Sequence, residues 1–249
     1  MRKFNAFQLK IFMAFLMVFD HLYYIKGFIP PLGVEVFHLL TRPVSVFFAY
    51  MAIEGFLFTR NRLKYNSRLF LWAGIMFLGN LLITTLFEEK GIHISNNIFL
   101  TLAMGVLALN IWYYPIKKSS QAYIAKISIK TILGILVTLS GMLLTEGGLV
   151  VIPFMMISYG FRSKQNIRDL LLLAYGIAIF ALSFQFTESW IFTIRMLMYN
   201  SDWFFISVIP FLYLYNGKRG PNNKFSKYFF YIFYPAHLWI IASIAYLTI

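Results

Sequence analysis

Cysteine is absent from the 249-residue chain, and charged side chains are scarce. Without a thiol the protein can form no disulfide, no thiolate zinc site and no cysteine nucleophile. Charged residues make up 12 % of the chain, against roughly 25 % in ordinary soluble proteins. There are therefore too few charged side chains to cover a surface that faces water.

The sequence motifs of several common cofactors are also missing. There is no G-x-x-x-x-G-K-[ST] or G-x-G-x-x-G pattern, so nucleotide triphosphate and dinucleotide sites lack support. There is no H-E-x-x-H pattern and no Ser-His-Asp spacing typical of hydrolases. We therefore expect neither a bound metal nor a hydrolase triad.

Hydrophobic residues make up 60 % of the chain, and a helix needs about 20 of them in succession to cross a bilayer. The apolar runs predict an all-α fold, a polytopic transmembrane helix bundle of about nine spans that forms a single domain over residues 1–249. The expected location is the cell membrane, with the lipid bilayer as a partner. The spans are predicted at residues 8–26, 43–59, 69–87, 97–115, 130–145, 148–161, 169–186, 203–216 and 228–248.

The net charge of +13 has its origin in membrane topology and not in a nucleic-acid partner. Cytoplasmic loops carry an excess of Lys and Arg. With a cytoplasmic N-terminus and nine spans, all but four of the 22 basic residues fall on the inner side. We therefore predict an inside N-terminus and an outside C-terminus. The first run lacks a small-residue cleavage site and is expected to remain as a span. The four exceptions are Lys26, Arg42, Lys90 and Arg195.

Ionisable residues inside apolar runs are costly, at about 2.5 kcal/mol or more each, so each requires a reason. Asp20 and His21 close the first run. Adjacent residues on a helix point about 100° apart, so each needs a partner on another helix. The two residues belong either to a functional site or to a hydrated pair near the interface that binds lipid headgroups.

Glu54 lies within the second run and is flanked by apolar residues. The neighbouring Gly55 would let another helix approach closely, and Arg42, at the outer end of the same run, could balance an acid. Glu54 is therefore either a functional carboxylate or one side of a structural hydrogen bond between helices.

Two further polar groups lie in the fourth and last runs. Asn97 and Thr101 share a helix face, although Asn97 alone is more simply a helix cap. In the last run Pro235 removes a backbone donor, and Tyr234 and His237 share a face. His237 is either functional or a core histidine bonded to a backbone carbonyl.

Four blocks of the sequence, between residues 19 and 238, resemble the TraX family and follow the family's order. Two departures are the proline at 43, which stands earlier than usual, and Glu146, which lies where the family has an aspartate followed by tyrosine and glycine. The blocks are FDH at 19–21, RPVSVFF with AIEGF and TRN within 42–61, NIFLTLAMG at 97–105 and YIFYPAHL at 231–238.

The resemblance implies a membrane acyltransferase. The founding members of the family acetylate the N-terminus of pilin subunits. The wider class carries an acyl group from cytoplasmic acyl-CoA to an acceptor at the outer face and uses a histidine near the end of the first span. The resemblance therefore implies an acetyl-CoA-dependent O- or N-acetyltransferase whose acceptor is a peptide N-terminus or a surface glycan.

His21 is the catalytic residue that the resemblance implies, and histidine can act either as a general base or as an acyl carrier. Asp20 or Glu54 would orient its imidazole, and His237 would line the opposite wall. The residues expected to bind the acetyl-CoA are Arg42, Arg60, Asn61, Arg62, Asn97, Thr101 and Tyr234.

Two other functions remain open. A proton- or ion-coupled transporter would use the same ionisable residues as a path through the membrane, and a non-catalytic subunit would only pack against partners. Transporters often contain inverted repeats, and none is visible in the sequence. Thermal stabilisation by acetyl-CoA would separate the enzyme from the other two functions.

Overall fold

The computed structural model describes residues 3–118 and 122–248, and within them the chain is all-helical, with no strand. Arg2, which the predicted topology uses, and Ile249 lie outside the described residues. Three 3-10 helices are described, at Leu22–Tyr24, Glu88–Lys90 and Ser201–Val208. The α-helices are α1 (Ala6–His21), α2 (Pro31–Phe58), α3 (Arg62–Leu86), α4 (Ile98–Trp112), α5 (Tyr123–Leu144), α6 (Gly148–Gly160), α7 (Gln165–Ser183), α8 (Trp190–Tyr199), α9 (Ile209–Leu214) and α10 (Lys224–Thr248).

Six of the described helices are long and apolar enough to cross a membrane: α1 with the turn that follows it, α2, α3, α5, α7 and α10. All nine predicted runs coincide with helices, and α8 is an additional one. However, α4 has 15 residues and α6 has 13, fewer than the roughly 20 that a span requires. The protein is thus a multi-pass helical membrane protein, while the count of nine spans and their orientation stay predictions.

Helix α2 begins at Pro31 and not near residue 43, where the second span was predicted to begin. Arg42, expected at the end of that span, therefore lies inside the helix. Proline suits a first turn, because the N–H that it lacks has no partner there. The interior Pro43 lacks the N–H that would bond to the Leu39 carbonyl, and membrane helices tolerate such a proline because neighbouring groups can satisfy the freed carbonyl.

The chain forms two compact units, and it passes from one to the other at four places: inside α2, inside α3, before α4 and after α6. Unit 1 consists of Met1–Phe48, Leu78–Ser95 and Ser163–Ile249. Unit 2 consists of Ala49–Phe77 and Asn96–Arg162.

In unit 1, α1 packs against α10, and α7 packs against the 3-10 helix Ser201–Val208. Met13 of α1 and Leu238 of α10 are fully buried. The chain just before α1 pairs with the chain just after α9 through an isolated bridge between Phe4 and Tyr215. These contacts fix α1, which ends at His21, beside α10, which contains His237.

In unit 2, α4, α5 and α6 pack against one another. Glycines allow close approach, because a Cβ on Gly105 of α4 would lie 2.3 Å from the sulfur of Met155 on α6. A Cβ on Gly55 would lie 2.5 Å from the hydroxyl of Tyr65 on α3. The prediction that Gly55 admits a neighbouring helix is thereby confirmed.

The long helices expose large apolar side chains. On α5 the exposed residues include Ile124, Leu136 and Leu144, and α3 and α7 show the same pattern. Extended exposed apolar surfaces are rare in soluble monomers. The natural environment of this surface is lipid, in agreement with the composition.

Candidate functional site: a histidine pair and a carboxylate network

Two buried histidines of unit 1 lie side by side. His21 is the last residue of α1 and His237 lies within α10, and they are 5 % and 6 % exposed. Their ring centroids are 5.2 Å apart. The sequence analysis placed both residues in one cluster, and the packing of α1 on α10 brings them together. Their chemical roles stay a prediction.

Each ring of this histidine pair has one buried nitrogen without a hydrogen-bond partner among the described residues, Nδ1 of His21 and Nε2 of His237. The Nδ1 of His237 lies 3.0 Å from the carbonyl of Phe233. A carbonyl only accepts, so this nitrogen carries the proton and Nε2 is left as an acceptor. One alternative from the sequence was a core histidine bonded to a backbone carbonyl, and this holds for Nδ1 of His237. The other nitrogen is available to a ligand.

Aromatic rings surround the histidine pair. Phe233 stacks on His237 with 5.3 Å between centroids and 11° between planes, and Tyr234 lies at 5.6 Å. Tyr24 stacks on His21 at 6.4 Å. The unpartnered nitrogens therefore lie in a mainly apolar, poorly hydrated environment, where hydrogen bonds and charges act strongly. Tyr234, expected to bind the cofactor, is part of this wall.

Asp20 finds its partners on α2, as the sequence analysis expected of a residue that cannot easily bond to its neighbour His21. Its Oδ1 accepts a hydrogen bond from the Thr41 hydroxyl at 2.7 Å and from Arg42 Nη2 at 3.3 Å. The same oxygen lies 3.3 Å from His38 Nδ1. Asp20 thus joins α1 to α2 and has a fixed orientation next to His21.

Arg42 connects three segments of unit 1. Besides its contact with Asp20, its Nη1 donates to Asp202 Oδ1 at 2.9 Å, and its Nη2 lies 3.1 Å from His38 Nδ1. Two carboxylates therefore neutralise this guanidinium. That arrangement serves to hold α2 against the Ser201–Val208 helix, and the expected cofactor role of Arg42 stays a prediction.

Sequence reasoning missed His38, Thr41 and Asp202. The predicted second span begins at residue 43, after His38 and Thr41. Their spacing contained the signal, because residues 38, 41 and 42 share one face of a continuous helix. Asp202 carried no local signal, since it reaches Arg42 only through the tertiary fold.

In unit 2, Asn97 caps α4, and its side chain accepts a hydrogen bond from the Leu100 N–H at 3.3 Å. This confirms the capping alternative. The Glu146 carboxylate accepts from Asn96 Nδ2 at 2.6 Å and from the Asn97 N–H, and Thr101 donates to the Glu146 carbonyl at 2.7 Å. A carboxylate is favoured at a helix N-terminus. We therefore interpret the contacts of Glu146 as structural, and the expected cofactor role of Asn97 and Thr101 stays a prediction.

The other expected site residues also lie in unit 2. Glu54 is partly buried in α2, and Arg60 is exposed. Asn61 caps the start of α3, and Arg62 lies 4.3 Å above the ring of Phe56. The structure thus distributes the predicted site over both units, and the expected pairing of Glu54 with His21 stays a prediction.

The family model described as TraX protein matches residues 6–245, nearly the whole chain. No curated protein and no solved structure matches the chain.

Proposed function

We propose that this chain, which belongs to the TraX family, is an acetyltransferase of the cell membrane that uses acetyl-CoA. The acceptor is a peptide N-terminus or a surface glycan at the outer face. The observation that carries the proposal is the buried pair of unpartnered nitrogens, His21 Nδ1 and His237 Nε2, with rings 5.2 Å apart. Leaving a buried polar atom unpaired costs about 1–3 kcal/mol, so two in one cluster favour a site that a ligand completes.

The unpartnered nitrogens match what acyl transfer requires. A hydroxyl or amine acceptor must lose a proton as its oxygen or nitrogen bonds to the acyl carbon. His237 holds its own proton on Nδ1 through Phe233, which leaves Nε2 to accept a hydrogen bond from the second N–H of an amine acceptor or from a neighbouring hydroxyl of a glycan. His21 is then the base that takes the proton, or the nucleophile that carries the acyl group. Acetyl-CoA would supply the activated carbonyl. Its C–S bond would break as the acyl carbon bonds to the acceptor or to His21, and the CoA thiolate would leave and take up the proton that the acceptor loses.

Asp20 acts as a positioning residue. Its carboxylate is fixed by Thr41 and Arg42 and stands one residue away from His21. The negative charge stabilises the positive charge that forms on the His21 ring when the ring accepts a proton. The apolar rings of Tyr24 and Phe233 limit water near that charge, which strengthens the interaction.

The function is tested with purified protein in lipid nanodiscs supplied with radiolabelled acetyl-CoA. One acceptor is a peptide with a free N-terminus, and its control is the same peptide with a formylated N-terminus. A third sample contains surface glycan. We expect label on the free peptide or on the glycan, and none on the blocked peptide. Absence of label from both acceptors, together with unchanged cell-surface acetylation by mass spectrometry when the protein is removed, would contradict the proposal.

Rapid denaturation at neutral pH distinguishes the two roles of His21, because an acyl-imidazole hydrolyses quickly in acid. Labelled protein recovered before any acceptor is added indicates an acyl-histidine carrier. Complete dependence of label transfer on the acceptor, with no labelled protein, indicates a general base.

A further inference from the structure

Lys10 is a partly buried cation of α1 that has no acid beside it in the part of the chain that the structure describes. Its ammonium group lies 5.4 Å from the centroid of the Phe230 ring on α10. The guanidinium of Arg219, in the loop 216–220, is also positive and acts electrostatically on Lys10. Among the described residues, none gives Lys10 a carboxylate or a hydrogen-bond acceptor.

The ion-paired acids of unit 1 are engaged elsewhere. They pair as Asp20 and Asp202 with Arg42, Glu35 with Arg195 and Asp169 with Arg168. Arg219 is exposed, whereas Lys10 is partly buried, and a partly buried cation that faces another positive charge without a counter-ion is costly. An anion from outside the chain would therefore stabilise Lys10 and Arg219.

The loop 216–220 has a defined conformation at the start of α1. The Ala6 N–H donates to the Lys218 carbonyl at 2.8 Å. Gly220 has a φ of 87°, a left-handed conformation that favours glycine. A Cβ at that position would also lie 2.7 Å from Oδ1 of Asn5, the cap of α1. These contacts hold the loop, and with it the guanidinium, near α1.

Lys10 and His21 lie on the same face of α1. Eleven residues separate them, which is close to three full turns and about 16 Å along the helix axis. Met13 and Met17, between them, are buried, so this is the face that packs inward. A molecule that joins Lys10 to His21 must therefore span about 16 Å along this face.

Aromatic rings of α10 form a series between Lys10 and the histidine pair. Phe230 contacts Phe229 at 4.9 Å between centroids, Phe229 stacks on Phe233 at 5.4 Å, and Phe233 stacks on His237 at 5.3 Å. The cation is at one end of this series and the histidine pair is at the other. The combination suits a molecule with a phosphate at one end and a long, weakly polar arm.

We propose that Lys10 and Arg219 bind a phosphate group of the CoA donor, with its acyl end directed along the α1 face toward His21. Guanidinium and ammonium groups are the usual protein partners of phosphate. This inference rests on the proposed function and moves the phosphate site from the predicted Arg60 and Arg62 to unit 1. A phospholipid headgroup offers the same phosphate chemistry, and the experiment separates the two sources.

The test measures the binding of ligands and not the rate of acetyl transfer. Kd values for CoA and for adenosine 3′,5′-bisphosphate are measured by calorimetry on protein in phosphatidylcholine nanodiscs. We expect Lys10→Gln and Arg219→Gln each to weaken CoA binding about tenfold, equivalent to one lost charge-assisted contact. Lys10→Arg should restore most of the affinity. Lys164→Gln, at an exposed lysine of the same unit, is the matched control and should change Kd by less than about twofold.

The outcomes separate this inference from the proposed function. Wild-type affinity for CoA in both Lys10→Gln and Arg219→Gln overturns the phosphate site, whether or not acetyl transfer is detected. Weakened CoA binding with no acetyl transfer by the wild type supports the site and contradicts the proposed reaction. Native mass spectrometry in phosphatidylglycerol nanodiscs measures whether the protein binds the lipid instead. If Lys10→Gln loses bound phosphatidylglycerol but keeps its CoA affinity, the ligand is a lipid and the CoA assignment is wrong.

Discussion

The ring of His21 lies 5.2 Å from the ring of His237, although the two residues are at opposite ends of the chain. The carbonyl of Phe233 fixes the proton of His237 on Nδ1. The Nε2 of His237 and the Nδ1 of His21 are both left without a partner among the described residues. Mutation of His21 and mutation of His237 should therefore have different effects on acetyl transfer, because only His21 is proposed to exchange a proton or an acyl group.

We expect His21→Ala to lower acetyl transfer by about 10²-fold or more, the usual contribution of a general base. CoA affinity should stay within about twofold, because the proposed phosphate site lies three turns away. His93→Ala is the matched control, since His93 is an exposed histidine of the same unit. Transfer and CoA binding are measured on the same nanodisc preparations. Wild-type transfer by His21→Ala would remove His21 from the mechanism.

Gly79→Ala should destabilise unit 1. The added Cβ would lie 2.0 Å from the ring of Trp239, and overpacking of this kind costs about 1–3 kcal/mol. Gly74→Ala, on the same helix, meets no atom within 4 Å and should be neutral or slightly stabilising, because alanine is the better helix former. Melting temperatures in one detergent decide the prediction. Equal melting temperatures for the two variants would show that Trp239 is not packed there.

Glu146→Ala should lower the free energy of unfolding by about 1–3 kcal/mol, because Asn96 and the Asn97 N–H lose their acceptor. Glu88→Ala, in a short exposed helix turn, should change it by less than about 0.5 kcal/mol. Reversible unfolding in mixed micelles gives both values. A functional role for Glu146 would instead appear as lost transfer with unchanged stability.

Thr41→Val should lower the free energy of unfolding by about 1 kcal/mol, the usual net worth of one buried hydrogen bond, because Asp20 loses its shortest contact. Thr248→Val is the control, since that hydroxyl bonds only to carbonyls of its own helix. Reversible unfolding gives both values. If Thr41→Val unfolds like the wild type, Asp20 is held by Arg42 and His38 alone.

The topology prediction is tested by reporter fusions at the C-terminus. A phosphatase that is active only outside the cytoplasm should be active there, and a fluorescent protein that folds only in the cytoplasm should stay dark. The basic residues set this expectation, since all but four of the 22 fall on the inner side. The reverse pattern of reporter activity would require a different number of spans.

The candidate site was partly visible in the sequence because charges in apolar runs are costly wherever the run folds. Asp20, His21 and His237 were identified on that ground and by resemblance. His38 and Thr41 were missed because the polar residues before Pro43 lowered the hydropathy of what is one continuous helix. Glu146 was noticed only as a departure from the family and turned out to anchor the start of α4.

Composition and hydropathy by themselves determined the fold class, the membrane environment and the location of nearly every helix. These properties follow from local sequence, because a backbone in lipid must satisfy its hydrogen bonds within the helix. Only the tertiary structure decided that Asp20 bonds to α2, that His237 lies beside His21, and that Lys10 is near the positive charge of Arg219 and near no carboxylate of the described residues. These contacts join residues far apart in sequence. They depend on which helix faces pack together, and no local pattern of residues specifies that choice.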